Sequence, residues 1–168
     1  LAHACQVDRP ITSIAVTPDH IMTTHIGNSL KLWKHDPQRY LPADGAVLAN
    51  MPLMGSDDDC GLYTLLRASD LDSVPQPEQR LFGQVAYLQA TPDFEGAVLA
   101  TAEGEVWSFR LPNGIGDAVD AQAATLPVEA LQLRLLTWFH THPVSDLALL
   151  GASPRVCAST DEGGRLRL

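Results

Sequence analysis

Ile11-Thr12-Ser13-Ile14-Ala15-Val16-Thr17-Pro18-Asp19 is the stretch on which the fold turns, and it runs on through Ile21-Met22-Thr23-Thr24 and Gly27-Asn28 to Ser29-Leu30-Lys31-Leu32-Trp33. Its β-branched residues fit a pleated, half-buried surface. Pro18-Asp19 and Gly27-Asn28 are turn pairs, one with φ set by the proline ring and the other tolerant of positive φ. Alternation then puts Leu30 and Leu32 on one face of the third run and Lys31 and Trp33 on the other. Three short strands joined by two tight turns make an antiparallel meander.

The same order of signals returns twice. Val85-Ala86-Tyr87-Leu88-Gln89-Ala90-Thr91 ends at Pro92-Asp93, and Ala97 to Thr101, the pair Glu103-Gly104 and Glu105 to Phe109 follow. A third copy reads Val144 to Leu149, Val156 to Thr160, the turn Gly163-Gly164 and Arg165 to Leu168. Within the first strand of each copy the apolar positions keep one spacing, i, i+3 and i+5: Ile11, Ile14, Val16; Val85, Leu88, Ala90; Val144, Leu147, Leu149. Thr17-Pro18-Asp19 and Thr91-Pro92-Asp93 stand at the same offset in their copies.

Composition narrows the function. The chain of 168 residues is 45% hydrophobic and 18% charged, below the roughly 25% charge of a typical soluble domain, so it has the apolar material for a core and is not a disordered chain. Its formal net charge of −9 argues against nucleic acid or an anionic membrane surface as the main partner, since both need a basic field. Cys5, Cys60 and Cys157 are scattered and odd in number, which points away from a disulfide framework or zinc ribbon and toward a reduced, intracellular, cytoplasmic setting. No run approaches the ~20 apolar residues that span a bilayer. The chain starts at Leu1 with neither a basic n-region nor an apolar h-region, so it is read as a segment of a longer polypeptide rather than one opening with a signal peptide.

With these residues in view, the pattern resembles the WD40 repeat. The residues that carry it are Pro10 to Asp19 with Leu30 to Trp33, Val85 to Asp93 with Val106 to Phe109, and His140 to Leu149 with Val156 to Leu168, roughly half of the chain. The resemblance implies an all-β fold of antiparallel four-stranded blades of a WD40-like β-propeller, each copy supplying three strands and the segment between copies the outermost one. The copies lie near 10–34, 82–110 and 131–168, much further apart than the about 40–45 residues at which such repeats recur. The excess falls within 35–80 and 112–127, read as surface insertions, with Leu62 to Arg67 and Leu131 to Phe139 as candidate outer strands. A degenerate further blade within 35–80 is the alternative. Because a ring needs about 4–8 blades, three copies are expected to be an incomplete segment of a larger propeller.

The resemblance also implies a buried blade network of Trp, Ser or Thr, Asp and His. Carried over position by position, the Trp place is Trp33 in the first copy and Phe109 in the second. The His place, four residues before the first inner strand, is His140 in the third copy but Val7 and Leu81 in the others. Ser159 stands in the third copy with Asp161, which substitutes for the turn Asp from a slightly different offset, whereas the Asp place six residues before Trp becomes Gly27 and Glu103 in the first two. With that network incomplete, apolar packing worth ~1.5–3 kcal/mol per buried side chain has to carry more of the stability.

Candidate chemistry is sparse. His140 and His142 form an H-x-H pair without a third ligand nearby, so no metal site is assigned and His140 is read as a structural residue. His20, His25 and His35 lie in or beside turns and are read as solvated, and Cys157 as a small core residue. Asp57-Asp58-Asp59 lacks the alternating spacing of a calcium loop. No nucleophile elbow or phosphate-cradling loop occurs, so no catalytic residue and no cofactor is assigned. Arg155, Arg165 and Arg167 are either a small site for an acidic partner or ordinary surface charge. The expected role is a non-enzymatic scaffold for protein–protein interactions in a multi-subunit assembly, with a lean toward a cytoskeletal or ciliary one. Its expected partners are other proteins and the remainder of its own propeller, not nucleic acid or membrane. The alternative is a propeller enzyme or small-ligand binder with a central-channel site, although the innermost-strand candidates Ser13, Ala15, Gln89 and Ala148 are mostly neutral. The insertion reading predicts that limited proteolysis cuts first within 42–60 while the three copies resist; uniform resistance counts against it.

Overall fold

The computed structural model describes residues 9–35, 59–60, 63–73, 80–113, 115, 126–137, 140–151 and 157–168. Most of the two insertions, and with them the question of a further blade, lies outside these residues. The described residues form three antiparallel sheets. The first contains β1 (Ile11–Val16), β2 (His20–His25), β3 (Ser29–His35), β4 (Asp59–Cys60) and β5 (Tyr63–Asp70), in the order β1-β2-β3-β5-β4. The second is the meander β6 (Val85–Ala90), β7 (Gly96–Thr101), β8 (Val106–Arg110) and β9 (Arg134–Thr137). The third is β10 (Val144–Leu149), β11 (Cys157–Asp161) and β12 (Leu166–Arg167). Among the described residues, the second sheet is the one with the expected four strands. The first gains a two-residue fifth strand because the chain approaches β5 through a short hairpin, Asp59 opposite Thr64 and Cys60 opposite Tyr63.

The apolar spacing i, i+3, i+5 has a geometric cause. In each sheet the innermost pair slips register once, between Ile11 and Ser13, between Val85 and Tyr87, and between Val144 and Asp146. One extra residue on a strand exchanges its two faces beyond that point. Positions i and i+3, on opposite faces of a regular strand, therefore share one face here, and i+5 joins them.

That face packs on the preceding sheet. Val85 and Leu88 share a buried cluster with Met22, Leu30, Leu32 and Leu66 of the first sheet, which Leu99, Trp107 and Phe109 extend. Val144 and Leu147 share another with Val98, Ala100 and Val106 of the second sheet. All six residues of β7 are buried, because odd positions face one neighbouring sheet and even positions the other. Three sheets side by side, each leaning its innermost strand on the one before, form an arc of an all-β propeller. In the first copy no sheet among the described residues covers the equivalent positions, and Ile11, Ile14 and Val16 are 48%, 53% and 65% exposed.

Both Thr-Pro-Asp turns are closed by the threonine. The Thr17 N–H donates to the carbonyl of His20 at 2.9 Å, and the His20 N–H returns to Thr17 Oγ1 at 3.1 Å. In the second copy, Thr91 and Gly96 make the same exchange at 2.8 and 3.0 Å. A 3-10 turn at Val128–Leu131, not foreseen from the sequence, buries Val128 and Leu131 in the first cluster. The preceding Leu126 N–H donates to Ala68 of β5 at 2.7 Å, so this connection is pinned across two sheets. No helix among the described residues is long and apolar enough to cross a membrane.

Truncation at equivalent positions separates covered from uncovered faces. Leu88→Ala is expected to lower stability by about 2–5 kcal/mol, as buried leucine truncations do. Ile14→Ala, at the same strand position, is expected to cost less than about 1 kcal/mol in this chain because its side chain is half in water. Urea denaturation of both variants checks it, and equal losses would contradict the packing direction.

Candidate functional site

The ladder positions that hold polar groups are equivalent in all three sheets. Asp161 pairs with Val144, His25 with Ile11 and Thr101 with Val85, each at the start of its innermost strand. Two residues earlier on the second strand stand Ser159, Thr23 and Leu99. Alignment by register thus gives His25 and Thr101 the place of Asp161, instead of the Gly27 and Glu103 expected from counting along the sequence. The count lands two residues late in the first two copies because the buried polar position stands at the end of the second strand and not within the turn, while the turns themselves are equally long, from His25 to Ser29, Thr101 to Glu105 and Asp161 to Arg165.

In the third sheet, His140 Nδ1 lies 3.0 Å from Asp161 Oδ2 and His140 Nε2 lies 2.8 Å from Ser159 Oγ. A carboxylate only accepts, so Nδ1–H donates to Asp161 and Nε2 accepts the Ser159 hydroxyl proton. The same order of groups activates the serine of acyl-transfer enzymes. Here the His140 and Asp161 side chains are fully buried and Ser159 is 3% exposed, so no substrate carbonyl reaches the hydroxyl. Asp161 also accepts the Arg165 N–H at 2.9 Å. That bond first, and the His140 bond next, hold its carboxyl below the ordinary value.

In the first sheet, four residues form a directed chain. The Trp33 indole N–H donates to Thr23 Oγ1 at 3.1 Å, Thr23 lies 2.9 Å from His25 Nε2, and His25 Nδ1 lies 3.0 Å from the Arg9 carbonyl. A carbonyl cannot donate, which puts the His25 proton on Nδ1 and makes Nε2 the acceptor of the Thr23 hydroxyl. His25 is wholly buried, which corrects its reading as a solvated turn residue: the end of β2 is tucked under the chain at Arg9. His20, half-buried, stacks on the Phe94 ring with centroids 4.2 Å apart, and His35 is half-buried as well.

The second sheet replaces donor and acceptor together. Phe109 stands opposite Ala97 as Trp33 stands opposite Ile21, Leu99 takes the hydroxyl position, and Leu81 is buried in place of a histidine. Removing both partners of a buried bond costs little, whereas removing one strands the other. Polar anchoring moves to Glu105, which is 3% exposed: its Oε2 accepts the Phe82 N–H at 2.9 Å and the Thr101 hydroxyl at 3.2 Å. Its Oε1 has no hydrogen-bond partner among the described residues. The Glu103-Gly104 turn then presses on the next connection, since a Cβ at Gly104, with φ of +92°, would overlap the His140 carbonyl oxygen.

At the loop end, the first two sheets are joined through Asn28. The turn Gly27-Asn28 takes φ of 80° and 53°, and Asn28 is buried. Its Oδ1 accepts the Gln84 Nε2–H at 2.8 Å and the Val85 N–H at 2.9 Å, while its Nδ2 donates to Asp72 Oδ1 at 3.0 Å and the Gly83 carbonyl at 3.1 Å. Every hydrogen-bonding site of that amide is used. Gln84 completes the clasp by accepting the Gly27 N–H at 3.0 Å and donating to the His25 carbonyl at 3.1 Å. Over this clasp opens a cavity of about 510 Å³, lined by Asn28, Asp72, Arg80, Leu81, Phe82, Gly83, Gln84 and Glu103. Phe82 is 74% exposed. From the sequence, Gly27-Asn28 reads as a turn alone, and nothing local marks Phe82, Gln84 or Glu105. The signal within reach was the equivalence of His25 with Asp161, had the copies been aligned by strand ends.

The remaining candidates stay apart. Gln89, on an innermost strand, bridges to the third sheet by accepting the Leu149 N–H at 2.7 Å. His142 is exposed, with Nδ1 lying 3.1 Å from Thr141 Oγ1. Arg165 is exposed and donates to Thr141 at 2.8 Å, while Arg167 is half-buried; Arg155 lies outside the described residues. Burial pushes the Cys157 thiol up, away from the reactive thiolate. No group of three or more potential metal ligands occurs among the described residues.

No family model and no curated protein sequence matches the chain. Among solved structures it is similar to Sqt1 of Chaetomium thermophilum, crystallised with the N-terminus of the ribosomal protein L10, at 17% identity and a TM-score of 0.45 over 90% of this chain and 30% of that one. It is also similar to the Dos1 propeller, at 13% identity and a TM-score of 0.42 over 95% of this chain and 30% of that one. The chain thus spans under a third of each of these proteins.

The Asp161 bonds carry a pH signature. A carboxyl lowered by folding adds stability in full above its ordinary value of 3.8, and this is lost as pH falls below that value and through the folded one. The stability gap between the native chain and Asp161→Asn is expected to be full at pH 7 and to shrink progressively as pH falls below 3.8 in urea titrations. A gap that does not change with pH would refute the link.

Proposed function

We propose that this chain is an arc of a WD40-like β-propeller and serves as a non-enzymatic scaffold that holds other proteins in a multi-subunit assembly. The observation that carries this reading is the clasped junction of the first two sheets, where a rigid backbone displays the exposed Phe82 beside an open cavity. A large apolar ring kept in water by a fixed backbone suits a contact surface, since little ordering remains to be done when a partner arrives. Trp33, Phe109, His140, Ser159 and Asp161 act in this reading as structural positions inside the blades. The uncovered Ile11, Ile14 and Val16 take a further sheet of the same kind, because the equivalent residues of the next two copies are covered by the sheet before them. The arc is one part of the larger propeller, with copies near 10–34, 82–110 and 131–168 and insertions within 35–80 and 112–127. The setting proposed is intracellular and cytoplasmic, with a cytoskeletal or ciliary assembly favoured by the long Ala-, Gly-, Pro- and Asp-rich stretches between copies.

Affinity purification of the tagged protein from its own cells, with quantitative mass spectrometry, tests the scaffold role. Recovery of stoichiometric protein partners that withstand moderate salt is the expected result. Recovery of the protein alone, together with turnover of a small molecule by the purified material, would overturn it.

A further inference from the structure

We propose that the cavity between the first two sheets takes a basic peptide segment, with a lysine or arginine side chain laid over the Phe82 ring between the carboxylates of Asp72 and Glu103. This rests on the scaffold reading and names the chemistry of the partner at that surface.

Phe82 differs from the other exposed apolar residues. Ile11, Ile14 and Val16 form an uncovered sheet face, and Leu166 and Leu168 lie in and beside the edge strand β12. Phe82, like the exposed Ile26 and Leu150, belongs to no sheet, and of these three it is the one that lines the cavity. Its backbone N–H is fixed by the buried Glu105 carboxylate at 2.9 Å, and the two residues after it are held through Asn28 at 3.1 and 2.8 Å. Leu81, before it, is buried in the apolar cluster. The ring is therefore shown to solvent from a segment anchored on both sides, and its negative face is available to a cation.

Charge selects the occupant. Asp72 and Glu103 line the cavity with Arg80, which leaves the lining one charge negative, and the whole chain carries −9. Asp72 is held in place by its bond to Asn28 Nδ2, and Glu103 lies close against Gly83, where a Cβ would come within 2.5 Å of its Cγ. An acidic segment would meet repulsion from both carboxylates. A purely apolar one would leave them desolvated without a partner. A basic side chain with an aliphatic stem satisfies the ring and the carboxylates together.

The test is isothermal titration of the full chain with the synthetic peptide Gly-Arg-Gly-Lys-Gly-Arg-Gly-Ser, against the same peptide carrying Glu at the three basic positions. Binding of the basic peptide at one-to-one stoichiometry, weakened as salt rises, is expected. Phe82→Ala should weaken it about tenfold, and the pair Asp72→Asn with Glu103→Gln by a similar factor. Glu162→Gln, an exposed acid in the third sheet that does not line the cavity, should leave it unchanged. Phe82 makes its anchoring bond through the backbone, so the alanine variant keeps it, and circular dichroism melts check that each variant is folded. Binding indifferent to Phe82→Ala, or weakened as much by Glu162→Gln, would mean general attraction to an acidic protein and overturn the proposal. Phe82-dependent binding of the acidic peptide, or no binding of either while protein partners still co-purify, would overturn the basic class and leave the scaffold reading standing. Loss of co-purifying partners from the native chain would remove the scaffold reading itself.

Discussion

The structure depends on one constraint: a twisted antiparallel sheet with apolar residues on both faces has to be covered on both. The second sheet meets it fully. Its strand β7 has no exposed residue because one face lies on Met22, Leu30 and Leu32 of the first sheet and the other on Val144 and Leu147 of the third. The covering is directional, since each innermost strand turns its apolar triplet toward the preceding sheet. The register slip near the start of β1, β6 and β10 makes that triplet share a face. Without the slip, Leu88 and Leu147 would sit on the face opposite Val85 and Val144, and each junction would lose its apolar seam.

Polar groups at the loop end are settled differently in each sheet, under the one rule that a buried donor or acceptor needs a partner. The third sheet uses His140, Ser159 and Asp161. The first draws its histidine from the end of β2 and ends the chain of bonds on a backbone carbonyl. The second drops both members of the indole–hydroxyl pair and relies on apolar packing, with Glu105 as a separate anchor for the connection at Phe82. These solutions fill equivalent space, which is why one backbone tolerates all three.

The junctions differ in kind as well. The first two sheets are held at one end by the saturated amide of Asn28 and at the other by the stacking of His20 on Phe94. The second and third are held by the seam of the apolar cluster, by Gln89 reaching Leu149, and by the close fit of Gly104 under His140. The polar clasp of the first junction is the part that shapes the surface above it. It fixes Gly83 and Gln84, and with them the display of Phe82 next to Asp72 and Glu103.

Much of the fold was legible in the residues themselves. Turn pairs, alternation and the recurring triplet depend on local backbone preference and on the period-two geometry of strands, so they locate β1 to β3, β6 to β8 and β10 to β12 without knowledge of neighbours. The outer strands were harder, because β5 and β9 follow long connections and carry no turn pair of their own. The polar sites were the least legible. His25, Glu105, Gln84 and the bonding of Asn28 acquire their roles from partners distant along the chain, and a solvated turn histidine and a buried one look alike in sequence. Local chemistry alone determined that the chain forms strands and which of their faces are apolar. Only the packing of sheet on sheet decided which polar side chains are sealed inside, which ring is left in water, and where a cavity opens, because burial is a property of the neighbours a residue meets.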